Sequence, residues 1–144
     1  MAGEIKWTYA DPVTLEDSGT SAASNVFVEA DATTLTSANH SNYPVADLVL
    51  KCDWSAAPTS TSVVNVYRRD LNIDGTSDAI VPASTFPQVL VGVVPIPQSA
   101  SAVYPIPNVP LSAECSFYIE NKSNTTLMAG WTLKATPKTF VPGT

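Results

Sequence analysis

Apolar and polar residues alternate along most of this chain, and no long segment repeats at helical spacing. In EIKWTYA the side chains of Ile5, Trp7 and Tyr9 fall at every second position. NVFVEA at 25–30, DLVLKCDW at 47–54 and SVVNVYRR at 62–69 read the same way. QVLVGVV at 88–94 is almost wholly apolar, which predicts a strand covered on both faces. SFYIEN at 116–121 and TLMAGWTLKA at 126–135 complete the set, and Lys122, Ser123, Asn124 and Thr125 have the length of a hairpin loop between them. Leu127, Ala129, Trp131, Leu133 and Ala135 share one face of the last strand. Shared strand parity places Leu48, Leu50, Trp54, Phe117, Ile119, Trp131 and Leu133 in the core.

Two stretches break the alternation. PIPQSASAVYPIPNVP at 95–110 is punctuated by prolines, which lack the N–H a ladder needs, so it reads as an edge strand or an extended arm. DATTLTSANHSNYP at 31–44 has no period and reads as a polar loop. No internal repeat or linker divides the chain. About eight strands separated by turn signals imply one antiparallel β-sandwich, jelly-roll or immunoglobulin-like. It would span 1–144, with MAGE and FVPGT as short N- and C-terminal arms.

Composition narrows the class. The 144 residues suit one domain. Only 14% are charged, where about a quarter is typical. Ser, Thr, Ala and Pro fill the space, as on proteins that pack against neighbours. The net charge of −6 and seven scattered Lys and Arg leave no basic stripe, which argues against nucleic acid and anionic membranes as partners. MAGEIKWTYADP does not read as a secretory leader. Cys52 and Cys115 share parity with apolar neighbours and read as buried, reduced thiols.

Candidate chemistry is sparse. His40, the one histidine, lies in SANHSNYP with no nucleophile elbow to serve. No feature pairs two carboxylates across a cleft, and Glu114 and Glu120 alternate with core positions, which puts them on a solvent face. The reading is therefore non-enzymatic and without a cofactor. YRRDLNIDGTSD at 67–78 is the best metal candidate. Asp70, Asn72, Asp74 and Asp78 have the spacing of a calcium loop, with Gly75 at the turn. Val81 stands where a bidentate Glu belongs, and Arg68 and Arg69 add positive charge. The favoured reading is a turn in which Asp70 and Asn72 close the loop and Arg69 pairs with Asp70, Asp74 or Asp78. Among the aromatics, Trp54 and Trp131 fit inward parity, whereas Tyr43 and Tyr104 lie beside prolines and are the better candidates for exposure. Asn39, Asn121 and Asn124 each begin an N-x-S/T triplet, as expected by chance in so Ser/Thr-rich a chain.

VYRRDLNIDGTSDAIVP, VLVGVVPI, ECSFYIENKS and GWTLKATPKTFVP, in that order over roughly 46–142, resemble small virion structural proteins of tailed bacteriophages. The resemblance implies a β-sandwich that decorates or cements the outside of a capsid, made in the host cytoplasm. Its partner would be the major capsid protein, and it would self-associate, by analogy as trimers. It transfers no site residues. The alternatives are a tail, neck or baseplate accessory protein, and a carbohydrate-binding module resting on the aromatics and the loop at 70–78.

Overall fold

A computed structural model describes residues 5–30, 35–36, 43–71, 89–96 and 99–142. Ten strands are present and no helix among the described residues: β1 (Ile5–Tyr9), β2 (Val13–Gly19), β3 (Phe27–Glu29), β4 (Leu35–Thr36), β5 (Val45–Asp53), β6 (Val63–Leu71), β7 (Val89–Pro95), β8 (Ser101–Pro110), β9 (Glu114–Asn121) and β10 (Trp131–Pro142). They form two antiparallel sheets. In the first the order is β1-β10-β5-β8, with β2 also on β10; in the second it is β3-β9-β6-β7, with β4 also on β9.

β1 and β2 pair with successive parts of β10, and β3 and β4 with successive parts of β9. Each pair therefore works as one interrupted strand. The chain is then a single long antiparallel hairpin: β1/β2 with β10, β3/β4 with β9, β5 with β8, and β6 with β7. Two further pairings, β5 with β10 and β6 with β9, roll that hairpin into a sandwich. This is jelly-roll order, and it differs from the strand order of immunoglobulin sheets.

Between the sheets lie Leu15, Leu48, Leu50, Cys52, Trp131, Leu133 and Ala135 from one side, and Val64, Val66, Val94, Cys115, Phe117 and Ile119 from the other. Trp54 and Leu127 seal one end, where Leu127 bridges both Ala22 and Trp54. All seven core positions expected from strand parity are buried. Cys52 and Cys115 are buried free thiols on different sheets.

Several expectations are corrected. The strands at 116–121 and 126–135 do not form a hairpin. β9 and β10 lie in different sheets, and residues 122–130 carry the chain across. Asn121 pins that crossing: its Nδ2 donates to Ala22 O at 2.9 Å and Thr125 O at 2.8 Å, while Ser123 N and Oγ donate to its Oδ1. Ala129 is exposed and Gly130 turns with φ 92°, so the last strand begins only at Trp131. The apolar run at 88–94 is not covered on both faces; β7 is an edge strand with Val89, Leu90 and Val93 exposed. Glu120 does not face solvent but is buried, because β9 is an inner strand whose outward side chains are covered by β6. Val13–Gly19 is a strand that alternation did not single out. The polar loop at 31–44 contains β4, though most of it lies outside the described residues.

At the termini, residues 137–142 are no free arm. They continue β10 and pair with β1. Residues 1–4 and 143–144 lie outside the described part. The Pro-rich stretch at 95–110 supplies β8, the other edge of the first sheet.

Candidate docking face

Asp70 is the one member of the calcium-like set within the described residues; Asn72, Asp74, Asp78 and Gly75 lie outside them, as does His40. Asp70 does not close a turn. It belongs to β6, which runs on to Leu71 opposite Cys115 and Glu114. Arg68, not Arg69, pairs with it: Nε lies 2.5 Å from Oδ1 and Nη2 3.0 Å from Oδ2. The reason is parity. Residues 68 and 70 point to the same face of β6, whereas Arg69 points outward and reaches Glu29 on β3 at 3.8 Å. Arg68 also donates from Nη1 to Pro110 O, tying β6 to β8. Both Asp70 oxygens are thereby engaged by a cation of the protein itself. Among the described residues no group of three His, Cys, Asp or Glu could hold a metal ion.

The two outer sheet faces differ. That of the second sheet has a buried polar network on β6 and β9, with Leu90 and Val93 of the edge strand β7 half exposed beside it. Glu120 is 2% exposed, and its Oε2 accepts from Tyr67 Oη at 2.8 Å and Asn65 Nδ2 at 2.9 Å. Lys122 Nζ reaches its Oε1 at 2.9 Å. Burial alone would raise the Glu120 pKa; the hydrogen bonds from Lys122, Asn65 and Tyr67 outweigh it and hold the carboxyl below its ordinary value. Tyr67 is pushed up to about 12, first by burial and then by its bond to Glu120. Tyr118 is pushed up to about 12 likewise, by burial and the Glu29 carboxylate. These groups are bonded to one another, whereas Ser116 Oγ, on the same face of β9, is buried without a hydrogen-bond partner.

The outer face of the first sheet exposes aromatic and apolar side chains among lysines. Trp7 stands opposite Phe140, and their ring centroids are 3.5 Å apart. Tyr9, Phe140, Val49 and Val103 are exposed on the same side, as the pairings Tyr9 with Lys138, Lys134 with Val49 and Lys51 with Val103 require. Lys138 is 4% exposed. Its Nζ sits 4.3 Å from the Trp7 ring centroid and 2.6 Å from Asp47 Oδ1. Asp47 Oδ1 also accepts the Asn108 backbone N–H at 2.9 Å, where Asn108 has φ 59°. The chain Trp7–Lys138–Asp47–Asn108 thus links β1, β10, β5 and β8 across the face. It fixes the aromatic end, while Lys51 and Lys134 stand exposed beside it.

Sequence reasoning placed the exposed aromatics elsewhere. Tyr43 is half-buried, and Tyr104 packs against the core with its hydroxyl buried. Among the described residues the exposed ones are Tyr9 and Phe140, with Trp7 partly so. Alternation marked residues 5–9 as a strand, but which face of an end strand meets the core depends on its partner, and the β10 register is not local information.

No family model matches this chain, and no curated protein matches it.

Proposed function

We propose that this chain is a non-enzymatic virion structural protein of a tailed bacteriophage, one that decorates or cements the outside of the capsid through the outer face of its first sheet. The observation that carries the reading is the exposed aromatic end of that face. It displays Tyr9 and Phe140, with Trp7 beside them, on strands cross-linked through Lys138 and Asp47, and Val49 and Val103 are exposed on the same face. Large exposed aromatic and apolar side chains grouped on one face mark an interaction site. Two general considerations support it: jelly rolls recur in viral capsid and lectin domains, and the sequence blocks above resemble phage virion proteins.

The test is co-sedimentation of the purified protein with capsids assembled without it. Wild type is expected to pellet with shells, and Tyr9→Ser/Phe140→Ser to stay in the supernatant with an unchanged circular dichroism spectrum. Unimpaired binding by that variant would overturn the face, and absence of wild-type binding would overturn the capsid assignment. Gold label confined to the tail would favour the accessory-protein alternative. A second reading, carbohydrate binding, draws on the same exposed aromatics, since sugars stack on such rings; glycan-dependent retention without shell binding would favour it.

A further inference from the structure

A sandwich has four lateral edges, and three of them here are protected. β8 carries Pro105, Pro107 and Pro110, each lacking a backbone N–H. The edge made by β1 and β2 carries Lys6, Glu16 and Asp17 and is broken between the two strands. The edge made by β3 and β4 consists of pieces of three and two residues. Short strands, charges, prolines and interruptions are the ways natural sheets blunt an edge.

β7 has little of this. It runs for seven residues, VLVGVVP, with no charged residue anywhere from 89 to 96 and no proline before its last position. It does carry a bulge, for its register on β6 passes from Val66 opposite Gly92 to Tyr67 opposite Leu90. The extra residue, Val91, packs against the core rather than placing a charge at the edge. Leu90 and Val93 stand opposite Tyr67 and Asn65, so both point to the outer face of the second sheet, and both are about half exposed. Gly92 belongs to the same design. A Cβ there would lie 2.9 Å from Ile106 Cγ2, so glycine lets β7 settle against β8 across the core.

We infer that β7 is a strand-pairing edge whose partner is β7 of a second copy of this chain, joined antiparallel across a twofold axis with Leu90 of one copy beside Val93 of the other. Among the described residues β7 has a strand on one side only, and the amides and carbonyls of an open edge are complementary to another extended strand, not to a groove or a small ligand. A second copy fits because the side chains are self-complementary: one dyad makes the Leu90–Val93 contact twice, on the same face. Charge points the same way. The chain carries −6, so two copies repel over most of their surfaces, and β7 is an edge where backbones meet without bringing like charges together. Such a contact is isologous and closes at two copies; it would not build the trimers that the virion resemblance implies. It does not depend on the docking face of the first sheet.

The experiment is sedimentation equilibrium of the full chain from low to high micromolar concentration, with Val93→Lys, Leu90→Lys and, as a control at an exposed site in a loop, Met128→Lys. Wild type and Met128→Lys should dimerise. The two β7 variants should be monomers, with melting temperatures equal to that of dilute wild type. In the variant Leu90→Cys/Val93→Cys, mild oxidation should link two chains through the introduced thiols, because Cys52 and Cys115 are buried. A wild type that stays monomeric at every concentration would overturn the inference, as would a dimer that survives Val93→Lys. So would a monomer whose melting temperature falls with Val93→Lys, for then residues of the same chain cover the edge.

Discussion

At the residue scale, Gly19 lies close against the Trp131 ring. The indole Nε1 donates to Thr20 O at 2.8 Å, and a Cβ on Gly19 would sit 2.0 Å from the ring's Cε2. Gly19→Ala should therefore destabilise by about 1–3 kcal/mol, as overpacking does. Thermal melting should fall by roughly 2–4 °C for each kcal/mol in a chain of this size. The thiols make a second case. Burial, and then the neighbouring Asp53 carboxylate, push Cys52 up to about 12, and burial raises Cys115. Neither should react with a disulfide reagent at neutral pH until denaturant is added, and reductant should leave the melting temperature unchanged. Glu120 gives a pH dependence. Its folded pKa is depressed, so its contribution is complete above the unfolded carboxylate value of about 4.3 and is lost as pH falls through the lower folded value. Glu120→Gln should be less stable than wild type at pH 7, and the gap should shrink on acidification in denaturant titrations. Burial of Leu48, Leu50, Phe117 and Leu133 was legible in the sequence because inward parity on a well-placed strand is local. Burial of Glu120 was not, since it needs Tyr67 and Asn65 from a strand more than fifty residues away.

At the element scale, β10 is the organising strand. It is twelve residues long, with β1 and β2 along one side and β5 along the other. Beyond Lys138 it pairs with β1 alone, so Trp7, Phe140 and Val141 sit on a two-stranded ribbon. A ribbon of that kind is marginal by itself. The Lys138 contacts to Trp7 and Asp47 root it in the sheet. Asp47→Ala should cost about 2 kcal/mol, below the usual loss for a buried pair because Asp47 is partly exposed. Asp47→Ala/Lys138→Met should recover most of that, as measured by chemical denaturation. Strands such as β5 and β6 were legible from alternation, whereas β2 was hidden by Glu16, which is buried yet charged. The expected hairpin between β9 and β10 failed for a related reason. Loop length alone does not say whether the chain turns back beside itself or crosses to the facing sheet. Asn121 and Gly130 settle that here through bonds and backbone geometry.

At the scale of the whole molecule, the sandwich class was legible from strand count, but the roll was not. It rests on pairings such as Trp7 with Phe140 and Leu48 with Ala135, which link β1 and β5 to the last strand. Of the calcium-like spacing at 70–78 only Asp70 falls within the described residues, and there it is a strand residue held by Arg68 rather than the start of a turn. Because β10 closes the first sheet, a chain cut before Trp131 would lose Trp131, Leu133 and Ala135 from the core along with the partner of β1, β2 and β5. Such a fragment should show no cooperative melting and a coil-like circular dichroism spectrum. The same pairing governs the order of events on the ribosome. β1 and β2 are translated first among the strands, yet their partner is translated last. The first sheet therefore cannot close around its core until residue 142 has cleared the exit tunnel. Until then the nascent chain carries unpaired apolar strands, the kind of exposed surface from which misfolding starts.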